Sequence, residues 1–298
     1  MAEYFAGMEA GGTKFVCAIG DSSGQILAEE RFPTTYPQET IDRSISFFLN
    51  KKTDWDIQLT SLGIGCFGPI DLDRSSSSYG HITSTPKPGW VNANIVGPLS
   101  EALHVPIAFD TDVNAAALGE LKWGAGVNLE NFIYFTIGTG IGGGAIINGK
   151  PLHGLIHPEM GHIFLNPNPD DTYKGKCPYH RNCFEGLASG PAISERWNTS
   201  PQSIPTDHPA WDMEADYIAQ AMSSLICSFS PQKIILGGGV MKQYHLFPKV
   251  QRLTQVYLNS YVQSDLIINH IDDYIVPPRL GDQAGVKGAL ALALDLDR

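Results

Sequence analysis

The stretch TIGTGIGGGAIING, Thr136–Gly149, carries six glycines in fourteen residues. Backbone this bare belongs where another group must come close to the main chain. Gly138, Gly140 and Gly143 fit G-x-G-x-x-G, but that dinucleotide fingerprint works only when a helix follows the turn and aims its N-terminus at a pyrophosphate. Here the glycines run into Ala145-Ile146-Ile147 and then Asn148-Gly149, a short strand and a hairpin turn. They lie between two strands, which disfavours a nicotinamide-dependent oxidoreductase. A similar unit opens the chain. Tyr4–Glu9 reads as a strand, Gly11-Gly12-Thr13-Lys14 as a turn and Phe15–Ile19 as a strand. Asp21–Gly24 then turns into a third strand near Gln25–Arg31. In the second half the matching strands are Ile133–Thr136 and Gly144–Ile147. The pattern predicts two related half-molecules, each with a hairpin whose backbone N–H groups can meet phosphate oxygens.

The rest alternates as an α/β chain does. Pro37–Asn50 reads as a helix, Ser61–Cys66 and Pro106–Asp110 as strands, and Val113–Trp123 as a helix. Asp71–Gly89, with four consecutive serines, reads as a loop of a length often tied to function. Later, a helix from Cys183 is interrupted at Gly190-Pro191, and another covers Trp211–Phe229. The strand Lys233–Leu236 ends in Gly237-Gly238-Gly239. Two further helices and a strand follow, and then a last helix, Ala284–Leu296.

The 298 residues, 43% of them apolar, suffice for one large or two ordinary domains. A net charge of −11 disfavours a nucleic-acid partner. No apolar run reaches the length of a membrane span, and MAEYFAGMEAGG lacks the features of a signal peptide. The expectation is a soluble cytoplasmic protein with no membrane partner. Cys17, Cys66 and Cys227 lie in apolar runs and are expected to be buried reduced thiols.

Two clusters carry chemistry. Cys177, His180 and Cys183 offer three soft or borderline ligands in seven residues, and His162 lies upstream. The four suit a structural, tetrahedral zinc with every position filled, and in a reducing compartment they point to metal rather than to a disulfide. His157 is the other candidate for the fourth position. Asp112 follows the strand Ile107–Asp110 and precedes a helix. Its carboxylate either faces a ligand from the strand's C-terminal edge or N-caps the helix at Val113.

EAGGTK (Glu9–Lys14), TIGTGIGGG and LGGGV (Leu236–Val240) resemble the two phosphate loops and the adenosine loop of the actin-like sugar kinases. More narrowly, DTDVNAAALGE (Asp110–Glu120), HPEMGHI (His157–Ile163) and CFEGLASGPA (Cys183–Ala192) are similar to the ROK family (repressor, open reading frame, kinase), over nearly the whole chain. The resemblance implies a two-domain actin-like (ribonuclease H-like) α/β fold with a cleft between the domains. Residues 1–118 plus 285–298 would form the smaller one and 119–284 the larger, which carries the zinc loop. The implied activity is ATP-dependent phosphorylation of a hexose at its primary hydroxyl. Asp112 matches the family's general base. Thr111 stands where many relatives carry a sugar-holding Asn. Glu159, His162 and Glu185 match sugar-hydroxyl ligands, with His162 facing the metal on its other side. Gly11, Gly12, Thr13, Thr136, Gly138, Thr139 and Gly140 match phosphate contacts, and Gly237, Gly238 and Gly239 flank the adenosine. Lys14 either neutralises phosphate or is a solvated turn lysine. Glu9 stands where many relatives place Asp near magnesium, and its extra methylene suits a water-mediated contact. Mg²⁺ with ATP, structural Zn²⁺ and a homodimer complete what the resemblance implies. His180 replaces a Cys of many relatives, and the ligand spacing shifts.

Within the family, EAGGTKF, DTDVNAAA and CPYH…C are most similar to bacterial zinc-containing fructokinases, which implies D-fructose as acceptor. Glucose, mannose and N-acetylhexosamines are the alternatives. A sugar-sensing repressor of the family carries a helix-turn-helix before the first phosphate loop. With eight residues ahead of Glu9 and an acidic balance, a kinase is expected instead. The D-F-G and H-R-D signatures of protein kinases do not occur.

Overall fold

The computed structural model describes residues 3–296. The chain divides into two compact units. Unit 1 takes the residues up to Val127, then Pro151–His157, then those from Asp282 onward, and unit 2 takes Asn128–Lys150 and Pro158–Gly281.

Unit 1 opens with β1 (Tyr4–Ala10), β2 (Lys14–Gly20) and β3 (Ile26–Pro33), an antiparallel meander in which Phe5 faces Gly20 and Ala10 faces Phe15. Helix α1 (Pro37–Asp54) crosses to β4 (Leu59–Cys66), parallel to β1, and α2 (Val96–Leu103) leads to β5 (Ile107–Thr111), parallel to β4. Helix α3 (Asp112–Trp123) follows directly. The sheet order is β3-β2-β1-β4-β5. In unit 2, β6 (Phe132–Ile137) and β7 (Ile141–Ile147) form the antiparallel hairpin, with the short β8 (Lys150–Pro151) at the sheet's edge. Next come α4 (Phe184–Ala188), α5 (Gly190–Trp197), α6 (Ala210–Phe229) and β9 (Ile234–Gly237), which lies parallel to β6. The unit continues with α7 (Leu246–Leu258), α8 (Asp265–Ile268), α9 (Ile271–Tyr274) and β10 (Ile275–Val276). Its sheet order, β10-β9-β6-β7-β8, repeats that of unit 1 strand for strand. The two glycine hairpins of the sequence thus occupy equivalent places in two equivalent sheets.

The last helix, α10 (Ala284–Leu294), returns to unit 1 and explains why β1, β2 and β4 read as unbroken apolar runs. A sheet buried on both faces has no polar side to alternate with. One face packs Met8, Phe15, Leu62 and Ile64 against Phe47 and Phe48 of α1 and Leu99 of α2. The other face receives α10: Phe5 packs with Leu290 and Ala293, and Val16 and Ala18 with Val286. The Ser61 hydroxyl donates to the Ala293 carbonyl at 2.8 Å. Two glycines allow this approach. A Cβ on Gly63 would overlap the Ala289 carbonyl, and one on Gly288 would overlap the Ala115 carbonyl of α3.

Several expectations need correction. The boundary expected at 118 falls inside α3, which stays whole with unit 1 because it packs along α10. Pro151–His157, expected in the larger domain, also belongs to unit 1. The glycine run is mostly strand: Gly142, Gly143 and Gly144 pair with Thr136, Phe135 and Tyr134, so only Gly138–Gly140 turn. Helix α2 was not expected because Gly97-Pro98 at its start reads as a turn, and α10 stops at Leu294 rather than at 296. Cys17 and Cys66 are buried, but Cys227 is exposed, because the helical period turns Leu225 and Ile226 inward and Cys227 outward.

Gly288→Ala is expected to destabilise the fold by about 1–3 kcal/mol, the usual scale of overpacking. Gly239→Ala, whose Cβ would meet nothing within 4 Å, serves as control and should melt as wild type. Equal melting temperatures for the two variants would refute the close-packing account.

Candidate active site and metal cluster

In unit 1, β5 ends at Thr111 and α3 starts at Asp112 with no intervening loop. Thr111 is extended (φ −66°, ψ 154°) and its hydroxyl accepts the Asn114 N–H at 3.1 Å, so Thr111 caps the helix. The cap residue of the helix is thus Thr111 rather than Asp112. Thr111, expected to touch sugar, is only 5% exposed and its hydroxyl is occupied as the cap. Asp112 keeps one oxygen on the Val113 N–H at 2.9 Å. Burial pushes its carboxyl up to about 6, against the pull of that N–H. A carboxylate at this value is ionised at neutral pH yet remains a better proton acceptor than an ordinary Asp. Nearby, Glu9 leaves its Oε2 buried and without a hydrogen-bond partner. Burial raises the Glu9 carboxyl, Lys14 opposes that, and the charge of Asp112 adds to it. The first hairpin turn is closed by Gly11 N–H donating to the Lys14 carbonyl at 3.0 Å and by the Thr34 hydroxyl donating to the Gly11 carbonyl at 2.6 Å. Thr13 at its tip is exposed.

The residue before the helix cap is a hub that sequence reasoning missed. Asp110, 4% exposed, accepts from the Thr111 N–H at 2.7 Å, from Asn114 Nδ2 at 2.8 Å and from His153 Nε2 at 2.9 Å. The carboxylate holds the His153 ring more basic than usual. Asp110 carried a signal in the doublet around Thr111, whereas His153 carried none, being brought in only because Pro151–His157 joins this unit.

In unit 2, the tip Gly138-Thr139-Gly140 is closed by Gly138 N–H on the Gly140 carbonyl at 2.9 Å, and Thr139 is exposed. The expected adenosine loop lies beside it. Gly238 adopts φ +91°, and a Cβ there would overlap the backbone of Ile137. Glu159 is exposed. Glu185 on α4 accepts the Ile141 N–H at 2.9 Å, a bond to the hairpin that the sequence did not signal.

The four candidate ligands lie together. The ligand atoms of His162, Cys177, His180 and Cys183 all lie within 4.8 Å of one another, and both thiols are buried. His162 Nδ1 stands 3.5 Å from Cys183 Sγ and 3.8 Å from Cys177 Sγ, and His180 Nδ1 stands 3.7 Å from Cys177 Sγ. Tetrahedral coordination at Zn–S of about 2.3 Å and Zn–N of about 2.0 Å requires edges of roughly 3.3–3.8 Å. The donor set therefore fits a four-coordinate cation. Cys183 also N-caps α4, its Sγ accepting the Gly186 N–H at 3.4 Å, which partly opposes the burial that raises its thiol. His157, the alternative ligand, is engaged elsewhere: its Nε2 accepts the Ile70 N–H at 3.2 Å in unit 1.

A family profile, that of the ROK family, matches residues 5–296. The chain belongs to the ROK family. A relative from Bacillus subtilis (strain 168) is 49% identical over 287 residues, covering 96% of this chain and 94% of its own. The fructokinase of Streptococcus mutans serotype c is 44% identical over 297 residues, covering 98% of both chains. Among solved structures, the ROK hexokinase from Thermus thermophilus superposes with a TM-score of 0.79 at 26% identity, covering 97% of both chains. The two repeated sheets are therefore those of the ROK sugar kinases, an actin-like (ribonuclease H-like) fold. Among the described residues no helix is long and apolar enough to cross a membrane.

The raised Asp112 carboxyl carries a stability cost of definite sign. Its folded value, about 6, exceeds the ordinary 3.8, so the native state holds the proton more tightly. The cost is absent below about pH 4, grows as pH rises through 6 and is complete above it. Asp112→Asn should therefore melt above wild type at pH 7–8 and converge with it near pH 4. A variant that melts lower at every pH would show that the carboxylate is structurally required.

Proposed function

We propose that the chain transfers the γ-phosphoryl group of ATP to the primary hydroxyl of a hexose, with D-fructose as acceptor and fructose 6-phosphate as product. The observation that carries this is Asp112: a carboxylate at the end of β5, relieved of capping by Thr111 and tuned by burial to about 6. The choice of fructose leans on the relatives, among them the Streptococcus mutans fructokinase, which is 44% identical over nearly its whole length.

Phosphoryl transfer asks the protein for position, charge neutralisation and a proton acceptor. Asp112 takes the proton of the attacking hydroxyl as its oxygen closes on the γ-phosphorus and the β,γ-bridging oxygen leaves with ADP. Gly11, Gly12, Thr13 and Lys14 contact phosphate from the first hairpin, and Thr136, Gly138, Thr139 and Gly140 from the second. Gly237, Gly238 and Gly239 flank the adenosine. Glu159, His162 and Glu185 hold sugar hydroxyls. Mg²⁺ arrives with ATP, neutralising its phosphates, and the unpartnered Glu9 oxygen suits a contact through its water shell.

The metal cluster is read as structural zinc. A lone Cys183 thiol, pushed up to about 12 mainly by burial, stays protonated, and a divalent cation would supply the charge that a buried thiolate needs. His162 presents Nδ1 to the cysteines, which leaves Nε2 for a sugar hydroxyl. The cytoplasm as location carries over from the sequence reading, and a homodimer as assembly from the family resemblance alone.

Turnover against a panel of fructose, glucose, mannose and N-acetylmannosamine tests the reading. Fructose is expected to give the highest kcat/KM. Asp112→Asn should retain sugar affinity and lose about 10²–10⁴-fold in kcat, and the wild-type kcat/KM should fall as pH drops below about 6. A different best sugar would remove the fructose assignment, and near-native turnover in Asp112→Asn would remove the base. Elemental analysis should find zinc in the purified protein, lost in Cys177→Ser together with thermal stability and fructose affinity. A zinc-free wild type with unchanged melting in chelator would remove the metal.

A further inference from the structure

We propose that Glu185 is a positioning residue for the nucleotide, fastening the tip of the second glycine hairpin to the metal cluster, so that the metal governs ATP affinity as well as the sugar loop. The proposal rests on the reading of Gly138, Thr139 and Gly140 as phosphate contacts.

The tip is held at both ends by elements that the cluster organises. Ile141, the first residue past the turn, is gripped from two sides. Its N–H donates to Glu185 Oε2 at 2.9 Å. Its carbonyl lies so close to Gly161 that a Cβ there would overlap it. At the other end, the Gly138 carbonyl accepts the Gly190 N–H at 2.8 Å. Gly161 is the residue before the ligand His162, in the short turn Met160–His162. Glu185 is the second residue of α4, whose N-cap is the ligand Cys183. Gly190 opens α5 just after Ser189, whose N–H returns to the Glu185 carbonyl at 3.1 Å. The ligand Cys177 is tied to the same helix: Lys176 N–H donates to the Gly186 carbonyl at 2.8 Å, and a Cβ on Gly186 would stand 3.2 Å from Cys177 Cβ. A cation that draws the four ligands together therefore locks α4 against the Met160–His162 turn, and these two elements close on Ile141 like jaws.

A pocket of about 340 Å³ lies at this junction, with Thr139 of the tip, Cys177 of the cluster and Glu185 among its walls. The tip and the metal loop thus border the same space. Glu185 is half-buried and its Oε2 is committed to the backbone, which leaves Oε1 for a sugar hydroxyl. Only the hold on Ile141 predicts a nucleotide effect in the absence of sugar. It also predicts that a neutral acceptor suffices, since a glutamine oxygen can still take the N–H.

The test uses the full-length protein without sugar. Hydrogen exchange at the Ile141 amide is followed by NMR, and AMPPNP affinity is measured by calorimetry, for wild type, Glu185→Ala, Glu185→Gln and the chelator-treated protein. Glu185→Ala, checked to retain its metal, is expected to speed exchange at Ile141 and to raise the AMPPNP Kd about tenfold, the scale of one charge-assisted hydrogen bond. Glu185→Gln should stay near wild type in both, as rescue by a retained acceptor. Removing the metal should raise the Kd in wild type but add little in Glu185→Ala, because the link is already cut. If Glu185→Ala leaves exchange and AMPPNP affinity unchanged and alters only fructose KM, the residue is a sugar ligand alone and the proposal falls. A wild type without AMPPNP affinity would overturn the kinase reading itself and this proposal with it. Intact wild-type affinity, insensitive to Glu185→Ala, overturns the proposal alone.

Discussion

Backbone must come within touching distance of backbone in both units, and everything else is arranged around that demand. In unit 1, α10 seats on the sheet only because Gly63 and Gly288 offer no Cβ to the Ala289 and Ala115 carbonyls. In unit 2, Gly143 leaves room for the Phe135 ring, and Gly161 lets the Met160–His162 turn lie against Ile141. These contacts exclude water from both faces of the sheets and deliver strand ends and hairpin tips to fixed positions. Dispersion and burial then act on geometry that the glycines have already permitted.

The capping of α3 leaves the proposed proton acceptor lightly engaged in the helix start. A helix start needs an acceptor for its unpaired N–H groups, and an aspartate would ordinarily serve. Here Thr111 takes that task one residue earlier. Asp112 keeps a bond to the Val113 N–H and a carboxyl raised by burial. The neighbouring Glu9 carboxyl is raised by burial and by the charge of Asp112, and Lys14 opposes this. Asp110 absorbs three donors just upstream and fixes the strand end from which Asp112 projects.

Much of this was legible in the sequence. The twin hairpins, the alternating strands and helices, the break at Gly190-Pro191 and the four candidate metal ligands are local patterns, set by short-range sterics and spacing. What was hidden depends on distant contacts. His153 meets Asp110, and His157 meets Ile70, only because Pro151–His157 crosses back to the first unit. In sequence Glu185 only matches a sugar ligand of the family, and its bond to the Ile141 N–H appears once the hairpin is placed beside α4. Cys227 misled because an apolar stretch of helix still has an outer side. The extent of β7 was obscured because three glycines have no side chains to show a strand's period.

The path of the chain has a consequence for how the molecule is made. It passes from one unit to the other after Val127, Lys150, His157 and Gly281, so neither unit is a continuous stretch. On a ribosome, every residue of unit 2 is synthesised before the helix that completes unit 1. Until Ala284–Leu294 emerges, β1, β2 and β4 carry an uncovered apolar face, with Phe5, Val16 and Ala18 waiting for Leu290 and Val286. The first-made strands are thus the last to be finished. A truncation that removed the final helix would leave them as a sticky surface, whereas unit 2 would keep its whole sequence.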